Sequence, residues 1–448
     1  MSRATLLGII GVSGFNDAGN IFLSRGGTNQ PSFSAVNAGA GVSRLDFDIS
    51  GPLTRIATNR NTGVVTVSAI PGLSDIPSAD WTTGANITTE WNTNQAHLSS
   101  IIYSNRNISV SSFTITTFGS FPGSSRIVGG TLAPNGKIYS GPYSGTLTYV
   151  IDPIAETVFT IGTTNFSGAT EGNVLAPNGN IYLIPHTSTL YYKIDPSNNS
   201  IRIISTITVP TNGGAHFGGC VMSNGRILLV PRTDSKTFFQ ILDPSTDTLV
   251  TTLGMGVSPL ACHGAIQAPN GKVYMTPLSS NYGQPFPGLI FDPTNNTFTS
   301  YGSFPGNYGY VDHGILHPNG KIYFAPYNSS MIQYVDPSSN VVRSIGTFPL
   351  NGALFAGGTV APNGKIFFVP HSATYGLILD PDNDTFTTYG NNTIFPGNAA
   401  YQGAIAYPNS NKIIFFPSTA TKIVVLNFLT NNNFNTNYGT SPINNRGY

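Results

Sequence analysis

One unit recurs seven times along this chain, and that repetition limits the possible folds more than any other feature. Written as they stand, the first units are GGTLAPNGKIYSGPYSGTLTYVIDP from Gly129 and GNVLAPNGNIYLIPHTSTLYYKIDP from Gly172. Then come GGCVMSNGRILLVPRTDSKTFFQILDP from Gly218 and GAIQAPNGKVYMTPLSSNYGQPFPGLIFDP from Gly264. The last three are HGILHPNGKIYFAPYNSSMIQYVDP from His313, GGTVAPNGKIFFVPHSATYGLILDP from Gly357 and GAIAYPNSNKIIFFPSTATKIVVLNF from Gly403. The aligned asparagines are Asn135, Asn178, Asn224, Asn270, Asn319, Asn363 and Asn409, spaced 43, 46, 46, 49, 44 and 46 residues apart. A period in the forties is the length of a four-stranded propeller blade.

Each unit reads physically as such a blade. A short strand of small residues ends at Asn-Gly, which suits the left-handed positions of a two-residue hairpin turn. The following strand, such as KIYFAP, is aromatic and β-branched and finishes at a proline expected outside the ladder. A third strand ends at Asp-Pro, the chemistry of a type I turn. The fourth is rich in Thr, Val and Phe, as in TVFTIGTT. The seventh unit stops after three strands, but FTITTFGSFPG (Phe113 to Gly123) matches the outer strand FTSYGSFPG (Phe298 to Gly306). That segment is therefore expected to complete the last blade and close the ring, removing open sheet edges. The fold class is all-β: a seven-bladed β-propeller over 106–428. Residues 1–105 form a β-rich N-terminal anchoring domain or arm, and 429–448 an Asn-rich tail.

Composition narrows function by exclusion. Lys plus Arg number 20 against 19 Asp plus Glu, a net charge of +1, which leaves no basic footprint for nucleic acid or an anionic membrane surface. Only 9% of residues are charged, so Asn, Ser, Thr and Gly must build much of the surface, as is common in extracellular and virion proteins. No apolar run approaches the roughly 20 residues that span a bilayer. The opening MSRATLLGIIGVSG is read as mature protein, without a clear cleavage site. Cys220 and Cys262 make no disulfide framework and are expected as free thiols, with one inter-blade bridge as the alternative. Asn86, Asn107, Asn165 and Asn328 head Asn-x-Ser/Thr triplets, which an Asn-rich and Thr-rich chain produces by chance.

Strand order decides where a site can lie. The Asn-Gly and Asp-Pro turns share one face and hardly vary between units, so that face reads as scaffold. Loops from the second to third strand, and from the fourth to the next first strand, share the other face and vary, which favours binding there. After each second-strand proline stand Tyr143, His186, Arg232, Leu278, Tyr327, His371 and Ser418. Leading into the first strands, nearer the channel, are Arg126, Glu171, His216, His263, Asp312, His313 and Gln402. Six of the seven histidines fall in or near these loops or the adjoining first strands, with His97 apart. Converging imidazoles suit acid–base or metal chemistry, whereas exposed polar and aromatic loops need have no such role. Asp380, Asp382 and Asp384 are turn residues before they are calcium ligands, and Asp46 and Asp48 read as solvated strand positions. There is no phosphate-cradling loop, nucleophile elbow or zinc-spaced set, so neither a cofactor nor a metal is expected.

The PNGKIY…DP unit resembles the short-motif propellers of the NHL and kelch-like type, including the streptogramin lyase type, over roughly residues 106 to 428. The resemblance implies the fold; propellers host enzymes, lectins and docking platforms alike. In the lyase-like members a histidine and an acid on the top face carry the chemistry, and His216, His263, His313 and Glu171 belong to the analogous face. No lyase motif matches residue by residue. In overall form the chain also resembles a structural protein of a tailed-phage virion. The expectation is a non-enzymatic structural or adhesion protein of a phage tail or capsid, localised to the virion. It docks to other virion proteins through its N-terminal segment, as an oligomer in the particle. Its variable face, through Tyr143, His186, Arg232, Tyr327, His371 and their neighbours, meets a protein or a host-surface glycan or receptor. The alternatives are a lyase or hydrolase at the channel mouth, or a secreted, extracellular lectin.

Overall fold

A computed structural model of the chain describes seven short strands between residues 4 and 69, and residues 113–428 apart from some inter-strand loops. Outside the described residues lie 70–112, the tail 429–448, and the loop positions of Arg126, Asn165, Arg232, Asp312 and His313. His97, Asn86 and Asn107 are likewise outside them. Among the described residues every regular element is a β-strand.

The chain divides into two compact units, residues 1–90 and 91–448. In the first, Thr28–Asn29, Ile21–Arg25, Ile10–Phe15, Val64–Ala69 and Thr54–Asn59 form one five-stranded sheet in that spatial order. Ala4–Thr5 pairs in parallel with Phe47–Asp48, the strand that holds the second acid of LDFDIS.

The second unit is the expected ring of seven four-stranded antiparallel blades. Blade 2 shows the plan: Thr170–Leu175 innermost, then Ile181–Pro185, Tyr191–Asp195 and Ser200–Ile204 at the rim. The innermost strands of blades 1 and 3 to 7 are Thr131–Leu132, His216–Val221, Cys262–Gln267, Ile315–Leu316, Phe355–Val360 and Tyr401–Tyr407. Blade 7 takes its rim strand from Phe113–Phe118, which pairs with Ile423–Phe428 from Phe118↔Ile423 to Phe113↔Phe428, so the ring closes as expected. Burial follows position. Second strands such as IYLIP and ILLVP are buried throughout, while rim strands such as TLVTTLG alternate between exposed and half-buried. The cores between blades follow from this pattern, with Tyr182, Ile184 and Tyr191 of blade 2 packed with Val221, Leu229 and Leu242 of blade 3.

Two local expectations are corrected. The Asn-Gly hairpin is a three-residue loop: Gly136 N donates to Ala133 O (3.0 Å), and Ala133 N to Lys137 O (2.9 Å). Of Asn135 and Gly136 only the glycine is left-handed, at φ +79°, because Pro134 already presets a type I turn. Five of the seven second-strand prolines do not lie beyond the ladder either. Pro185, Pro231, Pro277, Pro370 and Pro417 are the last paired residues of their strands, opposite a bulge where ladder bonding is already broken.

The two recurrent turns also join neighbouring blades. Asn178 Nδ2 donates to Pro244 O (2.7 Å) in the Asp-Pro turn of blade 3, and Tyr182 Oη donates to Asp247 Oδ1 (2.6 Å). Asn135 and Tyr139 make the same contacts to Pro196 and Asn199, and Asn270 and Tyr274 to Pro337 and Asn340. The acceptors Asn199, Asp247 and Asn340 are the left-handed fourth residues after the turn aspartates, at φ 58°, 56° and 57°. Conservation of this face along the repeat is thus explained by blade-to-blade docking.

Candidate functional site

The first strands of five blades carry the same irregularity. Thr170 pairs with Pro185 and Asn173 with Leu183, so Glu171 and Gly172 together oppose the single residue Ile184. The equivalent two-residue bulges are Phe217–Gly218, His263–Gly264, Ala356–Gly357 and Gln402–Gly403. The second residue of each is a glycine with φ between +75° and +84°, a conformation that a side chain strains. A bulge re-aims the residue ahead of it. Here it collects the side chains of Glu171, Phe217 and His263 from three consecutive blades.

These side chains meet. His263 Nε2 lies 3.1 Å from Glu171 Oε1, and His186 Nε2 lies 3.3 Å from Oε2, so each carboxylate oxygen faces one imidazole. Glu171 and His263 stand on blades 2 and 4, and such a contact across blade 3 is possible only where inner strands converge on the axis. The Phe217 ring fills the interval, stacked on His263 at 4.6 Å and 25° and tilted 31° against His186 at 5.3 Å. Tyr143 of blade 1 continues the row, 5.4 Å from His186. Glu171, His186 and His263 are 5%, 7% and 8% exposed, while Tyr143 and Phe217 are half-buried. The result is a column of four rings across blades 1 to 4, with one carboxylate bridging its two imidazoles.

Other expected site residues are placed elsewhere. His216 precedes the bulge and turns between blades 2 and 3, where its Nε2 meets Tyr191 Oη at 2.9 Å; Tyr191 Oη also donates to Gln240 Oε1 at 3.2 Å. It is 2% exposed and belongs to the blade interface. Tyr327 and His371, half-buried on blades 5 and 6, form a separate ring pair at 5.3 Å. Arg126, Arg232 and His313 lie outside the described residues. His317, grouped in the sequence with the variable loops, sits instead at the Asn-Gly end, where its Nε2 meets Gly364 O of blade 6 at 2.9 Å. Phe217 was missed from the sequence, although it stands seven residues before its Asn, as Glu171 and His263 do.

Both cysteines are buried free thiols. Among the described residues no group of three or more His, Cys, Asp or Glu is disposed to hold a metal. A cleft of about 460 Å³ opens on the opposite face, lined by turn residues including Asn178, Asn224, Arg226 and Asp243. Its Arg226 Nε donates to Asp243 Oδ2 at 3.2 Å, so it reads as part of the turn scaffold.

No protein-family model matches the sequence, and no curated protein matches it. Solved structures do. A catalytically inactive histidine-to-alanine variant of virginiamycin B lyase from Staphylococcus aureus, with quinupristin, aligns at TM-score 0.59 and 13% identity, over 71% of this chain and 100% of that one. A streptogramin B lyase aligns at 0.57 and 15% identity, over 71% and 98%. The extracellular domain of a one-component system from B. thetaiotaomicron aligns at 0.53 and 11% identity, over 70% and 40%. At these identities the likeness concerns fold: this chain carries a seven-bladed β-propeller whose structural neighbours are of the streptogramin B lyase type.

Proposed function

We propose that the chain is a non-enzymatic structural and adhesion protein of a virus particle. Its N-terminal segment docks to a capsid or tail protein, and its propeller contacts the host surface through the variable face. The observation that carries the recognition role is the column Tyr143, His186, Phe217 and His263 around Glu171. It gathers rings and polar groups from four blades at one mouth, whereas the other face repeats the same docking contacts. The particle context is supported by the low charge content and by the compact N-terminal unit separate from the propeller. Mass spectrometry of purified particles tests it. Stoichiometric recovery of the full chain, with loss of incorporation on deleting residues 1–105, is the expected result. Normal incorporation of the truncated chain overturns the docking role.

A second reading is favoured by the same carboxylate. A carboxyl group within 3.3 Å of two imidazoles places an acid–base pair in one site. A lyase or hydrolase could use that pair, and two of the neighbouring folds are lyases. Turnover of an ester or glycan substrate that is lost in His263→Ala and Glu171→Gln supports this reading; unchanged turnover in both removes it.

A further inference from the structure

Six of the seven first hairpins carry Asn-Gly, at Asn135, Asn178, Asn224, Asn270, Asn319 and Asn363, while the seventh has Asn409-Ser410. Asparagine is a chemically labile residue, and most so before glycine, which has no side chain to hinder attack of its own nitrogen on the amide carbon. The repeat presents six copies of that chemistry in one backbone setting. In each, the glycine N donates to the carbonyl three residues back at 2.9–3.0 Å, so the turn must open before that nitrogen can react. In each, the asparagine Oδ1 accepts from the backbone N two residues on, at 3.0–3.1 Å. Asn212 and Asn351, which also precede glycine, lie outside the described residues and are not copies of this turn.

What differs between the copies is the hold on the amide nitrogen. Nδ2 of Asn135, Asn178 and Asn270 donates to the tyrosine four residues on, at 2.9–3.1 Å. It also donates to a proline carbonyl of the next blade, at 2.7–3.1 Å. Asn319 keeps the tyrosine bond, to Tyr323 Oη at 3.0 Å. In blades 3 and 6 the tyrosine is replaced by Leu228 and Phe367, which offer no acceptor. Asn363 is nevertheless half-buried, and the carbonyl of its Gly364 accepts from His317 Nε2 at 2.9 Å, so blade 5 still pins that turn. Asn224 is exposed and lines the cleft of about 460 Å³ together with Gly225 and Arg226. Among the described residues its side chain bonds only Arg226 N, through Oδ1, at 3.1 Å.

We infer that Asn224 is a site of spontaneous deamidation, the first of the six hairpin asparagines to convert. When the turn opens, Gly225 N gives up its proton and attacks Asn224 Cγ. The bond from Cγ to Nδ2 breaks, ammonia leaves with the proton, and a succinimide ring closes. Water then adds to either carbonyl of the ring and leaves aspartate or isoaspartate at position 224. The change puts a carboxylate into the cleft with Arg226 and Asp243 and takes the net charge of the chain from +1 to 0. Reaction follows the population of the open turn, and every bond made only by the closed turn lowers that population. Two hydrogen bonds fewer raise it about tenfold or more.

The experiment ages the full chain in mildly alkaline buffer and follows each hairpin by peptide mass spectrometry, with an enzymatic assay for isoaspartate. In the folded chain, conversion at position 224 is expected to run about tenfold or more ahead of positions 135, 178 and 270. In urea, where only the local Asn-Gly sequence counts, all six should convert at similar rates. Tyr182→Phe removes the acceptor of Asn178 and should speed position 178 several-fold while leaving position 270 at its wild-type rate. Tyr274→Phe should do the reverse. Circular dichroism and the thermal midpoint confirm that both variants are folded. Equal native rates at positions 224 and 178 overturn the inference, as does a lead for position 224 that persists unchanged in urea. Unchanged rates at the released asparagine in both variants overturn it as well, since the tyrosine bond then does not govern the reaction.

Discussion

His263 Nε2 lies 3.1 Å from Glu171 Oε1 although the strands that carry them belong to blades 2 and 4, with the whole of blade 3 between. The ring of Phe217, stacked 4.6 Å from His263, occupies the gap. Residues 92 positions apart in sequence thus come into contact because two bulges aim them at the same axis.

That contact should appear as energetic coupling. A double-mutant cycle of Glu171→Gln and His263→Ala, read by urea denaturation, is expected to give a coupling of about 0.5–3 kcal/mol, the range for residues in contact. Glu171→Gln combined with Tyr327→Ala should be additive within about 0.5 kcal/mol. Additivity in the first pair as well would mean that the carboxylate does not hold His263.

The inter-blade lock is testable at Tyr182. Phe occurs naturally at the equivalent position of blade 6, Phe367, so Tyr182→Phe should fit without steric cost. It removes the donor to Asp247 and should lower stability by about 1.5–3 kcal/mol, as for hydrogen bonds to charged groups. Burial, and then the bond to Asp247, hold the Tyr182 phenol well above its usual value. A group raised in the fold contributes fully below its unfolded value, near 10, and its contribution is lost as pH rises further. The difference between wild type and Tyr182→Phe should therefore shrink between pH 8 and the far alkaline range in urea titrations.

His317 predicts the opposite dependence. Burial pushes its imidazole below the usual value, although Gly364 and Asn319 bond to it. Asn319 N donates to Nδ1 at 3.2 Å, which leaves Nε2 to donate to Gly364 O at 2.9 Å, and this describes a neutral ring. A proton binds the unfolded chain more readily, so stability from this group is complete above about pH 6.5 and falls as pH drops below it. Ala stands at the aligned position of four other units, including Ala133 and Ala176, so His317→Ala should fold. The expected outcome is a shallower loss of thermal stability between pH 7 and 5 in the variant; identical slopes would remove His317 from the acid response.

The two thiols should be silent in the native state. Cys220 is wholly buried, and burial pushes the Cys262 thiol up to about 12, far from the reactive thiolate. A chromogenic disulfide reagent should titrate close to no thiol in the folded chain and two after denaturation. Fast native labelling would contradict the packing of both cysteines in the core between blades 3 and 4.

The blade count and ring closure were legible because they depend on local chemistry. Asn-Gly with a preceding Pro, Asp-Pro, and alternating or fully apolar strands each constrain a few consecutive residues, and seven copies add their signals. The match of FTITTFGSFPG to FTSYGSFPG was enough to identify the strand that completes blade 7. Glu171, His186 and His263 were also visible as variable-face residues, since strand order alone assigns loops to faces.

What the sequence by itself determined is therefore the repeating strand–turn plan and the face on which variation gathers. Only the tertiary structure decided which of the variable residues meet. His216 and Phe217 are adjacent in the chain, yet one bonds Tyr191 inside a blade interface and the other spaces two imidazoles at the mouth. The bulge between Phe217 and Gly218 makes that separation, and it comes from pairing with Pro231 and Leu229 of the neighbouring strand. Side-chain direction at such a point is a property of the register between two strands, which no single strand carries in its own residues.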